Sequence, residues 1–276
     1  MKRSLTDAGR AAGYYSTSSA LAVLFLVPMV WALYSSLRDN GQSTGPGELS
    51  LINYRRLLEY GSGLGTYAVN TLIVATITVV VSVVVTTLGG YAIVRLSFPG
   101  KDVLFLATLA ILMVPHSTIL IPLYILLKWV GLANSLVGLA LVLTMLQLPF
   151  GLFMMRNSFE ALPVALEEAA LVDGCGSISV LRHVLLKGVR PGLITVALFS
   201  FLASWNEFVA PLIFITDDEK FTLPVALFNL QSGGVGSVDF GALLAGVVTA
   251  AVPCVALFLF LQRYYVRGFI RGALKG

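Results

Sequence analysis

Few residues in this sequence are of types that do chemistry, and their spacing argues against most of it. His116 and His183 stand far apart, with no cysteine or carboxylate at ligand spacing from either, so no zinc or other metal set is formed. Cys175 and Cys254 are also distant, one in a polar loop and one in an apolar run, which excludes a disulfide framework and a paired-cysteine metal site. Gly100-Lys101 comes nearest to a nucleotide-phosphate loop. Asp102 follows where Ser or Thr is required and the earlier glycine is missing, so the chain does not bind ATP by that route. One acid, Glu207, lies inside an otherwise uncharged stretch. The chain is expected to hold no cofactor or metal and to catalyse no reaction.

The surroundings of these residues explain their scarcity. Hydrophobic residues make up 57% of the 276 and charged residues 12%, against roughly a quarter charged in an average soluble domain. Crossing about 30 Å of hydrocarbon takes about 20 mostly apolar residues. Six stretches meet that length, at about 15–37, 67–94, 103–127, 134–155, 191–216 and 240–262. They are too long and too evenly apolar for strands of a membrane barrel, whose signal is about ten residues of alternating polarity. The sequence predicts an all-α membrane protein, a single domain over 1–276 with six transmembrane helices.

Orientation follows from lysine and arginine, which accumulate in cytoplasmic loops. With the N-terminus inside, Arg38, Arg55, Arg56, Lys128 and Lys220 face outward, which leaves thirteen of the eighteen on the inner side. Both termini are expected in the cytoplasm. The first run is read as a retained span, not a secretory signal, because five more spans follow it. The net charge of +4, with no basic block, gives nucleic acid nothing to track.

Three connections exceed a turn: 38–66 and 217–239 outside, and 156–190 inside. Loops of that size usually carry function. The inner one has a helical pattern. Pro163 suits the first turn of a helix and Gly174 the residue just past its end, which brackets a helix over 163–173. Leu162, Leu166 and Ala169 recur at spacings of four and three as one apolar stripe, with Glu167 and Glu168 off it. A second helix is predicted over 177–186, with Ile178, Leu181 and Leu185 on one side. A hairpin lying on the leaflet would show a basic polar face. The first helix and its lead-in carry Glu160, Glu167, Glu168 and Asp173 and no base, so a protein partner fits better. Asp173 suits either a cap for the second helix or a bond to that partner.

Glu168-Ala169-Ala170, then Gly174, then an aliphatic residue at Val184, resembles the loop signature of the membrane subunits of ATP-binding-cassette importers. Where the family has leucine-proline, this chain has Leu186-Lys187, which leaves the end of the second helix open. Ser204-Trp205-Asn206-Glu207-Phe208, Pro211-Leu212, Thr222-Leu223-Pro224, Gln262-Arg263-Tyr264-Tyr265-Val266, Arg267-Gly268 and Gly272 to Gly276 extend the resemblance. They narrow it to the second permease of carbohydrate importers of the maltose type.

The resemblance implies a bacterial cytoplasmic-membrane subunit that moves a di- or oligosaccharide by alternating access. Its partners would be a second homologous permease, an ATPase dimer carrying ATP and magnesium, an extracytoplasmic sugar-binding protein and the bilayer. Glu168, Ala169, Ala170, Asp173 and Gly174 would join the ATPase. The tail residues Gly272, Lys275 and Gly276 would reach between the ATPases near the nucleotide. Gln231, Gly233 and Gly234, in the last outer loop, would reach into the binding protein.

An ionised side chain at the bilayer centre costs about 2.5–3.5 kcal/mol on insertion scales, so Glu207 should face protein or water. With Trp205 and Asn206 it would line the sugar path or make a helix–helix contact. His116, after Pro115, reads as a packed histidine beside a kink, because a proton relay needs more intramembrane acids and bases than Glu207 alone. Two rivals remain. A glycerol-phosphate permease would want arginines in the path, and an ion-coupled carrier would show charged, discontinuous spans and an internal repeat.

Overall fold

The computed structural model describes residues 5–38, 49–232 and 239–273, as backbone only for 5–9, 11–12 and 262–273. The helices in chain order are α1 (Leu5–Ser36), α2 (Ile52–Glu59), α3 (Leu64–Arg95), α4 (Lys101–Ala110), α5 (His116–Trp129), α6 (Leu136–Glu160), α7 (Ala165–Val172) and α8 (Ser177–Val180). They continue as α9 (Leu186–Gly188), α10 (Arg190–Trp205), α11 (Val209–Phe214), α12 (Leu223–Ser232) and α13 (Phe240–Ala273). Short 3-10 turns follow α4 and precede α12, and a π turn, Leu181–Leu185, joins α8 to α9. Extended pairing among the described residues is limited to an isolated bridge between Arg38 and Leu49.

Four helical stretches are long and apolar enough to cross a membrane: Gly13–Ser36, Leu64–Arg95, Leu136–Glu160 and Phe240–Leu261. Two bent pairs raise the number to six if each is one span: Lys101–Met113 with His116–Trp129, at 108°, and Ser177–Gly188 with Arg190–Trp205, at 78°. The stretch expected as one helix over 103–127 is thus broken. Pro115 has no N–H to donate and forces the residue before it out of the helical region; Val114 sits at φ −84°, ψ 128°. The stretch expected over 191–216 is interrupted between Trp205 and Val209. The ring of Pro211 displaces the carbonyl four residues earlier, that of Glu207.

The chain forms two compact units. In the unit of residues 1–63 and 227–252, Asn53 is fully buried. Its amide donates to the carbonyls of Ser36 (2.9 Å) and Arg38 (2.8 Å), capping the end of α1. Gly241 lies so close to Asn53 that a Cβ there would be 2.5 Å from Asn53 Oδ1.

In the unit of residues 64–226 and 253–276, α3, α6 and α10 pack on one another. Lipid tails are as apolar as leucine, so such helices associate through close packing of small residues. The buried face of α3 accordingly includes Thr71, Ala75, Thr78, Ser82, Thr86 and Gly90 in its middle, with Tyr67 and Tyr91 toward its ends. A Cβ on Gly90 would lie 2.8 Å from Met155 Cβ, and one on Gly151 would lie 2.7 Å from Thr86 Cγ2. The hydroxyls of Thr71, Thr86 and Thr144 donate back to carbonyls four residues earlier in their own helices, while Thr78 donates across to Ala140 O on α6 at 3.3 Å. Around this core sit two apolar clusters, one with Leu120, Leu139, Leu143 and Phe214, the other with Met155, Phe159, Val180 and Leu185. Valine at Gly90 or Gly151 is expected to cost about 1–3 kcal/mol by overpacking, read as a lower midpoint of thermal unfolding in detergent. Gly65→Ala, which meets open space, should leave that midpoint unchanged or raise it.

Candidate functional site

The 156–190 loop folds as the expected hairpin, with shifted ends. α7 covers Ala165–Val172 and Gly174 turns the chain at φ +84°, a backbone open to glycine and strained for most other residues. The second arm is not one α-helix; α8 passes into the π turn and then α9. With Lys187 in place of proline, helical structure continues to Gly188.

The two sides of this hairpin differ. Ala170, Val180 and Leu185 pack into the cluster formed by Tyr91, Met155 and Phe159. Facing away are Val164, Leu166, Val172 (87% exposed) and Ile178 (83% exposed). Leu162 turns inward, and its methyl groups leave no room for a Cβ on Gly188. Glu168, Ala169, Asp173 and Gly174 are exposed, so of the five predicted joint residues Ala170 alone is buried.

Glu167 points into the protein. Its Oε2 lies 3.3 Å from Arg95 Nε, with side-chain exposures of 15% and 7%. That contact is an ion pair without hydrogen-bond geometry, because Arg95 Nε makes no hydrogen bond. The other end of the guanidinium donates through Nη2 to the carbonyls of Leu162 (2.8 Å) and Phe159 (3.2 Å), closing the end of α6. Tyr91, one turn before Arg95 on α3, donates to Glu167 Oε1 at 3.2 Å. Removing one member of a pair this deep leaves an uncompensated charge, a loss of about 3–5 kcal/mol. The sequence reading placed Arg95 among the inner cations and Glu167 off the stripe, without pairing them. The available signal was the four-residue spacing of Tyr91 and Arg95 at the end of a span.

The two helix breaks meet at a cavity of about 370 Å³. Met113 and His116 come from the first break, Ser204 and Glu207 from the second, and Gln147 from α6 between them. His116 is exposed here, not packed beside a kink as the sequence suggested. Glu207 accepts the backbone N–H groups of Val209 and Ala210, each at 3.0 Å, and so caps α11. Asn206 is exposed and its amide donates to Leu202 O (2.8 Å). Trp205 is buried and stacks on Phe201, with centroids 5.5 Å apart, away from the cavity. Sequence reasoning missed Gln147 and Ser204 because neither carries charge. Among the described residues, no lysine or arginine lines this cavity.

The end of the unit that carries the start of α3 is held by polar bonds. Tyr67 donates to Asp218 (2.9 Å), Asn70 to the carbonyls of Glu219 and Phe221, and Leu223 N–H to Thr71 Oγ1 (2.8 Å). Lys220, with help from Asn134, holds the Asp217 carboxyl below the usual carboxylate range. Its small contribution is complete above that range and fades as pH falls through the lowered value. Gln231 lies in α12, while Gly233 and Gly234 fall outside the described residues. Gly272 belongs to α13, which continues past the expected end at 262, and Lys275 and Gly276 are outside the described residues.

Over 96% of its length the chain superposes, with a TM-score of 0.82 and 20% identity, on 99% of a chain from the crystal structure of a bacterial ABC transporter that imports the acidic polysaccharide alginate. The fold is therefore one used by ABC importers. Residues 85–271 match the family described as binding-protein-dependent transport system inner membrane component. A diacetylchitobiose uptake system permease protein of Streptomyces coelicolor is 31% identical over 92% of this chain and 85% of its own length. A trehalose transport system permease protein of Mycobacterium tuberculosis is 30% identical over 97% and 99%. The chain belongs to this family: it is a multi-pass transport permease subunit, and the Glu168-Ala169-Ala170 loop is the family's typical motif.

Alanine at Gly174 meets no neighbouring atom within 4 Å, so its effect isolates backbone strain. A left-handed residue other than glycine costs about 1–2 kcal/mol. Gly174→Ala should therefore speed limited proteolysis between Leu162 and Gly188 several-fold, with Gly174→Asn milder.

Proposed function

We propose that this chain is one of two membrane subunits of an ATP-driven importer for a neutral di- or oligosaccharide. The observation that carries the proposal is the hairpin of α7 and α8, bonded to the spans on one side and apolar on the other. Val164, Leu166, Val172 and Ile178 stand in the open beside Glu168 and Asp173. An apolar stripe rimmed by acids suits a cleft in a protein, whereas a leaflet-bound helix carries bases. In this reading the cleft belongs to an ATPase dimer that binds ATP and magnesium. Its closure moves the hairpin as a rigid body and switches the permease pair between inward and outward openings.

The remaining parts fit one permease domain that crosses six times, with α4 and α5 counted as one span and α10 with α11 as another, and the α8–α9 arm outside the membrane. Both termini then lie in the cytoplasm, in the cytoplasmic membrane of a bacterium, with thirteen of the eighteen basic residues inside. The clasped 217–223 segment faces outward. In this reading the residues after it, Gln231, Gly233 and Gly234 among them, meet a sugar-binding protein, and Gly272, Lys275 and Gly276 reach the ATPases. A second solved structure with this fold is the alginate transporter in complex with a pentasaccharide-bound periplasmic protein, at TM-score 0.67 and 14% identity.

The cargo class rests on the cavity and on the relatives, several of which are permeases for diacetylchitobiose, trehalose or arabinooligosaccharides. Gln147, Ser204, His116 and Glu207 offer hydroxyl-bonding groups where two helices break, and irregular backbone is tolerated in a membrane where it lines such a space. An acid and no lysine or arginine among the described lining residues disfavours glycerol phosphate and other anions. Neither the buried Trp205 nor Asn206 lines this cavity, which leaves Glu207 as the member of that motif in the path.

The test is ATP-driven sugar uptake in vesicles carrying the whole assembly. Glu168 is exposed, so Glu168→Lys should leave folding within about 0.5 kcal/mol. Uptake should nevertheless drop and the ATPase should no longer co-purify. Normal uptake with the ATPase attached would contradict the docking role of this loop.

A further inference from the structure

The hairpin's second arm is anchored by the buried Val180 and Leu185, but the apolar attachment of α7, the helix with the exposed apolar face, is slight. Of α7, one small side chain, Ala170, is buried. The other link from α7 to the spans is the carboxylate of Glu167. It meets Arg95 and Tyr91, which stand four residues apart at the end of α3. Through its Nη2, the same guanidinium holds the carbonyls of Phe159 and Leu162 at the end of α6. One cation therefore touches three elements at once: the hairpin, α3 and α6.

Charge burial of this kind is a poor source of stability, because desolvation offsets most of the attraction, and an apolar trio of similar volume would hold a folded loop as well. What a fixed donor fork adds is register. Nη2 pins the guanidinium on two carbonyls at the end of α6, and that fixes where its charge meets the Glu167 carboxylate. The opposite arm, with the π turn at Leu181–Leu185, is held by the buried Val180 and Leu185, so the polar link is on the α7 side.

We propose that Arg95, paired with Glu167 and steadied by Tyr91, is the positioning residue that transmits displacement of the hairpin to α3 and α6. Loss of the pair would let the hairpin move without the spans. This rests on the docking reading above and adds to it a particular route: α7 drives α3 and α6 through one guanidinium, and the α8–α9 arm follows.

The experiment uses the complete assembly in proteoliposomes, with the sugar-binding protein and its sugar inside the measurement. Three quantities are read for Arg95→Gln, Glu167→Gln and Tyr91→Phe: ATPase retained on purification, ATP hydrolysed, and sugar taken up. The expected result is full ATPase retention with ATP spent per sugar raised roughly fivefold or more for the two charge variants, the range of an ordinary coupling between sites. Tyr91→Phe should shift the ratio in the same direction by less. Arg95→Lys keeps the charge without the fork and should not restore the normal ratio.

A merely structural pair would lower hydrolysis and uptake together and leave their ratio unchanged; that result overturns the proposal. Loss of the ATPase from Arg95→Gln also overturns it, since the pair would then shape the docking surface and not transmit through it. If the charge variants do not insert, Tyr91→Phe decides, and an unchanged ratio there counts against transmission. Failure of the docking reading is separate: it shows as an ATPase that stays attached and drives normal uptake when Glu168 is changed to lysine.

Discussion

A guanidinium almost entirely out of water, with a carboxylate on one side and two helix-end carbonyls on the other, fixes where the 156–190 hairpin stands. Without Arg95 the carbonyls of Phe159 and Leu162 would lose a donor and Glu167 would be a buried acid facing only a phenol. The hairpin's position, the end of α6 and the end of α3 are thus one problem with one solution. The packing beneath it follows the same economy. Met155 and Phe159 can approach α3 because position 90 is glycine, and that approach brings the end of α6 to Arg95.

Away from the hairpin the constraint is the backbone itself. A helix interrupted in lipid must satisfy the freed N–H and C=O groups from within the protein. Glu207 answers this at the second break by accepting two N–H groups of α11, and the break at Pro115 removes a donor outright. Both interruptions border one cavity, so the irregular backbone lies where polar lining is useful. The subunit is divided accordingly, with a three-helix core that carries a largely apolar cavity with a few polar groups at two breaks and a hairpin bonded to the core's end.

Local signals in the sequence were read well where one residue type settles the geometry. Pro163 and Gly174 bracketed α7 to within two residues, and the turn at Gly174 has the left-handed backbone that glycine serves. Uncharged runs of adequate length found every long helix, though their ends wandered: α13 passes 262 because arginines and tyrosines continue a helix as readily as they end a span. Tertiary relations were harder. Nothing in the residues near Glu167 says that its partner is Arg95 on another helix, and Trp205 beside Glu207 looked like a sugar platform until its ring proved to be stacked on Phe201. Proline breaks stood in between. Pro115 and Pro211 were visible, but whether a proline kinks a span or ends it depends on what packs around the freed carbonyl.

The account depends most on what the apolar outer face of α7 touches. The direct measurement places a single cysteine at Leu166, with Cys175 and Cys254 changed to serine, and adds a short bifunctional thiol–amine reagent to membranes carrying the whole assembly. The account predicts a covalent product between this subunit and the ATPase, with a yield that changes when nucleotide is added. Products confined to the other permease, or none from a cysteine that still reacts with a lipid-phase reagent, would mean that the hairpin rests on the membrane or on its own kind and that the coupling role assigned to it is wrong.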